Sequence, residues 1–67
     1  MTVFLVLDTH GREMLSTPAV EIATWTMNRL DGAASVVTDG GVLIATRHKI
    51  EGASVAAWLV RLGWINS

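Results

Sequence analysis

The sequence predicts a small α+β domain, a four-stranded antiparallel sheet with two helices on one face in the order ββαββα. Three observations carry this reading. Thr2–Leu7, Ser35–Thr38 and Val42–Thr46 are short runs rich in β-branched and large apolar residues, the composition of strands. Glycine turns follow the first run and separate the other two. Two apolar helical stretches then finish in the same way, Arg29-Leu30 and Arg61-Leu62, with a glycine close behind. The halves 3–32 and 34–63 therefore look like copies of one plan, offset by about 31 residues at the turns. If Asp8–Thr17 were a loop instead of a turn and a returning strand, the order would be βαββα.

Taken in order, Val3, Leu5 and Leu7 form one apolar set and Phe4 and Val6 the other. A strand apolar on both sides is normally covered on both. With both helices expected on one face, the other face is predicted to stay open, and the Phe4–Val6 set is its expected dimer face. Asp8-Thr9-His10-Gly11 suits a type I turn closed by a left-handed glycine, and Arg12–Leu15 then returns as a strand. Thr17-Pro18 reads as a helix start, a capping hydroxyl followed by proline at the first helical position. At ~100° per residue, Ala19, Ile22, Ala23, Met27 and Leu30 share a stripe, bordered by Val20. Gly32 is the expected left-handed cap. Asp39-Gly40-Gly41 between β-branched runs marks the second hairpin. Arg47-His48-Lys49 leads out of it to a second helix that starts between Ile50 and Ser54. Val55, Leu59 and Leu62 form the core line of that helix. Gly63 ends it, and Trp64 folds back on Leu59 as in a Schellman motif.

Composition narrows the class. Sixty-seven residues allow one domain, 1–67, with a thin margin of stability. Hydrophobic residues make up 51%, charged residues only 16% and the net charge is −1, so the surface is poorly charged for a soluble domain. Such a surface predicts an apolar patch that something covers. The balance of charge also speaks against a strongly basic nucleic-acid protein. With no cysteine and two histidines, neither a disulfide framework nor a structural zinc site is expected. The longest apolar run is far short of a membrane span, and no targeting segment is visible. The expectation is a cytoplasmic protein without cofactor or metal.

Reactive constellations are missing from the pattern. His10 falls in a turn and His48 between two cations, which oppose both a metal and an imidazolium. Ser16 and Ser54 read as capping hydroxyls outside any nucleophile elbow, and the glycines form no phosphate loop. A non-catalytic protein is expected. Among the three tryptophans, Trp58 and Trp64 are accounted for as core and helix-end lid. Trp25 lies off its helix's apolar stripe, with Glu21 and Arg29 one turn before and after it. A tryptophan beside an arginine has the composition of an interface hot spot. The expected partner is another protein, with homodimerisation through the sheet face or the helix flank. The profile is that of a stoichiometric regulator or inhibitor, common among phage- and mobile-element-encoded proteins, anti-CRISPR proteins included. The alternative is a nucleic-acid-binding regulator using Arg47, His48 and Lys49.

Overall fold

The computed structural model describes residues 1–47, 57 and 59–65. Its elements are β1 (Phe4–Asp8), β2 (Glu13–Thr17), α1 (Val20–Arg29), β3 (Ala33–Thr38) and β4 (Leu43–Thr46), and residues 57 and 59–61 are helical near the C-terminus. The strands form one antiparallel sheet in the order β2-β1-β3-β4. Helices pack on that sheet, so the predicted α+β architecture is present. The predicted start of the second helix, with Gly52, Ser54 and Val55, and the core position of Trp58 lie outside the described residues.

The two hairpins are built by the same local bonds. In the first, Gly11 N–H donates to Asp8 O (3.1 Å) and Asp8 N–H to Arg12 O (2.9 Å), with Gly11 at φ +80°. In the second, Gly41 N–H donates to Thr38 O (3.1 Å) and Thr38 N–H to Val42 O (2.8 Å), with Gly41 at φ +87°. Both are type I turns completed by a left-handed glycine, which has no Cβ to clash there. Side chains brace both corners. Asp8 Oδ1 accepts the N–H groups of His10 and Arg12, and Thr38 Oγ1 accepts that of Val42. Thr38 is therefore the counterpart of Asp8, one residue before the corner expected at Asp39. Asp39 instead bonds β1: its N–H donates to Val3 O (3.0 Å), and its Oδ1 accepts from Val3 N–H (3.3 Å).

The ladders repeat the correspondence. Each outer strand carries one extra residue, Met14 in β2 and Ile44 in β4. Between the hairpins, Val6 pairs with Val36, flanked by Leu5 with Val37 and Leu7 with Ser35. A pseudo-two-fold axis thus passes between Val6 and Val36, and it relates positions thirty residues apart, as Asp8 to Thr38, Gly11 to Gly41 and Met14 to Ile44.

The helices break that symmetry. Val6 and Val36 are buried with Ala23 and Met27 of α1, alongside Ala33, Phe4, Leu15 and Ala45. On the opposite face Leu7 and Val37 are buried with Leu59, and Leu5, Leu43, Trp64 and Ile65 pack on them. The two helices therefore take opposite faces rather than the shared one expected. The reason is steric. α1 lies over Val6 and Val36, on the axis itself, so the symmetry-related site is already occupied. The second apolar set of β1 then needs its own cover, and the C-terminal residues supply it. The expected dimer face of Phe4 and Val6 is accordingly corrected, because Val6 is wholly buried beneath α1 and Phe4 packs against the same cluster.

The helix ends follow local chemistry. Thr17 cannot act as the N-cap, because it is the last residue of β2, paired with Phe4 and buried. Its hydroxyl accepts the N–H of Ala19 (3.2 Å), and α1 begins two residues later than expected, capped at Ala19 without a side-chain bond. α1 ends at Leu30 in extended conformation, and Gly32 (φ +86°) serves the turn from Leu30 to Ala33 instead of capping the helix. The C-terminal helix ends as predicted. Gly63 (φ +82°) donates to Val60 O (3.0 Å) and Trp64 N–H to Leu59 O (2.9 Å), the two bonds of a Schellman motif.

Candidate interaction surface

Only a narrow strip of α1 meets the sheet. Ala23 and Met27, one turn apart, are its buried positions. At about 100° per residue, Trp25 then points roughly 160° to 200° away from them, directly outward. Trp25 is 60% exposed, and Glu21 and Arg29, one turn to either side, are exposed with it. The Arg29 guanidinium carbon lies 5.3 Å from the centre of the Trp25 ring, within cation–π range. A guanidinium carries five N–H donors, and a cation–π contact through its face uses none of them.

Ile22 belongs to this outer surface and not to the core. It is 52% exposed, and Leu30 is also exposed. The predicted stripe was too wide, because only Ala23 and Met27 of it are buried and Ile22 and Leu30 fall outside the strip that meets the sheet. Sequence reasoning missed Ile22 as a surface residue, and the signal that finds it is the angle of ~100° separating it from Ala23. Trp25, Thr26, Arg29 and Leu30 line a depression of about 240 Å³. That is smaller than the ~300 Å³ at which small-molecule sites begin.

The remaining candidates divide. Arg47 leaves β4, its N–H donates to Ala34 O (2.8 Å), and its Nη1 donates to Leu30 O (2.8 Å). A cation on a carbonyl at the C-terminal end of α1 also suits the helix dipole. Arg47 thus braces α1 and is brought beside the Trp25 surface. His48 and Lys49 lie outside the described residues. His10 is exposed in its turn, and its N–H, together with that of Arg12, bonds Asp8. The Arg12 N–H contributes most to holding the Asp8 carboxyl below its ordinary value of 3.8. Among the described residues no cluster of three metal-ligating side chains occurs, and no helix is long and apolar enough to cross a membrane.

The outer strands offer a poorer surface. Extra residues at Met14 and Ile44 interrupt β2 and β4, and such bulges discourage edge-to-edge pairing. What the fold defines is a small α+β domain with both sheet faces packed by its own chain and an aromatic–basic helix face turned to solvent. No family model matches the chain, and no curated protein or solved structure is significantly similar to it.

Proposed function

We propose that the protein is a non-catalytic binding module that acts on another protein as a stoichiometric regulator or inhibitor, through the outward face of α1. The observation that carries this reading is Trp25, a large aromatic left 60% exposed on a regular helix and stacked by Arg29. Tryptophan and arginine dominate interface hot spots because they combine apolar area with directed donors. Ile22 extends the apolar part of the surface. With both sheet faces covered from within, α1 replaces the sheet as the place where association is expected.

The alternative is a nucleic-acid-binding regulator using Arg47, His48 and Lys49, of which Arg47 spends one donor on Leu30 O. The test is affinity capture from the native host with the wild-type chain, Trp25→Ala and Arg29→Ala, each variant first shown to be folded. Loss of the captured partner by about 5–30-fold in either variant is expected, matching the 1–2 kcal/mol of a hot-spot residue. Equal capture by folded variants would refute the assignment of this surface.

A further inference from the structure

Glu21, Trp25 and Arg29 follow one another at intervals of four residues, so they form a single ridge along the outer face of α1. The ridge is acidic at one end, aromatic in the middle and basic at the other. Its ends stand eight residues apart, about 12 Å along the axis. A pattern of this kind is its own complement. Turned end for end and laid beside itself, it sets Glu21 against Arg29 twice and Trp25 against Trp25 once. We infer that the outer face of α1 is a homodimer interface, in which a second copy of this chain packs its own α1 antiparallel across the Glu21–Trp25–Arg29 ridge.

Several features favour a second copy as occupant. An isologous contact requires that residue i meet j and j meet i, and the two charges straddling Trp25 satisfy that without any further residue. Ridges of this spacing interlock in the commonest class of helix packing, crossing at about −50°. Arg29 is prepared for the role. Its guanidinium carbon lies over the Trp25 ring, 5.3 Å from the centroid, and a cation–π contact uses none of its N–H donors, which can take a carboxylate from outside. Among the described residues no ion pair holds either Glu21 or Arg29. Glu21 also lies in the first turn of its helix and Arg29 in the last, the ends at which each charge is favoured. The bulged outer strands leave the sheet edges as weaker competitors for the same partner.

The contact of two ten-residue helices falls below the ~800 Å² per partner of a standard interface. An interface of that size belongs to the weak, transient class, so the dimer is expected to form only at high protein concentration. The inference rests on the reading of this face as an association surface, and it names the first partner. Sedimentation equilibrium up to ~1 mM in ~50 mM salt tests it. The wild-type mass should rise from 7.2 kDa toward twice that value. Glu21→Arg and Arg29→Glu should each weaken self-association at least ~10-fold, while circular dichroism stays native because both positions are exposed. An equimolar mixture of the two variants should restore it, since opposite charges then face each other at both ends. A wild-type chain that stays monomeric, or variants that self-associate as well as wild type, or a mixture without recovery, overturns the inference. The two readings fail separately. A monomeric wild type whose host-protein capture is lost in Trp25→Ala sinks the dimer alone. A charge-swap-sensitive dimer whose capture survives Trp25→Ala keeps the dimer and sinks the regulator reading at this face.

Discussion

Leu59→Ala is the substitution that most directly probes how the second sheet face is closed. Leu59 has no solvent exposure and is buried with Leu7 and Val37, with Trp64 and Ile65 packed against them. Truncating a fully buried leucine costs about 2–5 kcal/mol, from lost transfer energy and the cavity left behind. At ~0.05–0.15 kcal/mol per residue, a chain of this length has only about 3–10 kcal/mol of stability. The variant should therefore lose about a fifth or more of the total, and a melting point lower by at least ~8 °C is expected, at 4–8 °C per kcal/mol. Leu62, one turn on and 45% exposed, provides the comparison, and Leu62→Ala should cost less than ~1 kcal/mol. Urea unfolding followed by circular dichroism measures both. Equal small effects at the two positions would show that the C-terminal residues do not seal the Leu5–Leu7 face, and the packing described above would be refuted.

Gly11 and Gly32 both sit at positive φ, but only Gly11 is crowded, its missing Cβ falling against Leu62 Cδ1 and 3.3 Å from Trp64 Nε1. Each glycine-to-alanine change should cost about 1 kcal/mol of backbone strain, and Gly11→Ala should cost measurably more than Gly32→Ala in the same urea assay. Arg47→Met should remove the bond to Leu30 O and destabilise by about 0.5–1 kcal/mol, with faster amide exchange in the last turn of α1. The Asp8 carboxyl is held down chiefly by the Arg12 N–H, so the folded state favours its ionised form. That stability is complete above the ordinary value of 3.8 and is lost as the pH falls through the lower folded value. Asp8→Asn should flatten this acid limb of the stability–pH curve, read by thermal melts at successive pH values.

Elements governed by near neighbours were legible in the sequence. The first turn needs only Asp8 and Gly11, and the Schellman end only Gly63 and Trp64, so spacing sufficed for both. At the second turn the pattern fell one residue out of register. Aspartate braces such corners well, yet Thr38 braces this one, because Asp39 is drawn off to Val3 N–H across the sheet. That bond joins residues far apart in the chain, and no local rule contains it. The distribution of the helices was hidden for a similar reason. β1 announces through Leu5, Leu7, Phe4 and Val6 that both faces need covering, but which segment covers which depends on α1 occupying the pseudo-two-fold axis. In the candidate surface, Glu21, Trp25 and Arg29 were visible from their spacing. Ile22 was not, because a stripe drawn from hydrophobicity alone does not tell which edge of it meets the sheet, here the edge of Ala23 and Met27.

This chain packs both faces of its sheet from within, and the outside of α1 is the proposed contact surface. A concentration series of ¹H–¹⁵N spectra tests it at the level of single side chains, because the indole N–H groups of Trp25 and Trp64 report from opposite sides of the sheet. The Trp25 indole and the Arg29 guanidinium resonances should move with concentration while the Trp64 indole and the Leu5–Leu7 amides stay fixed. Movement confined to Trp64 and Leu5–Leu7, with Trp25 unchanged, would contradict it.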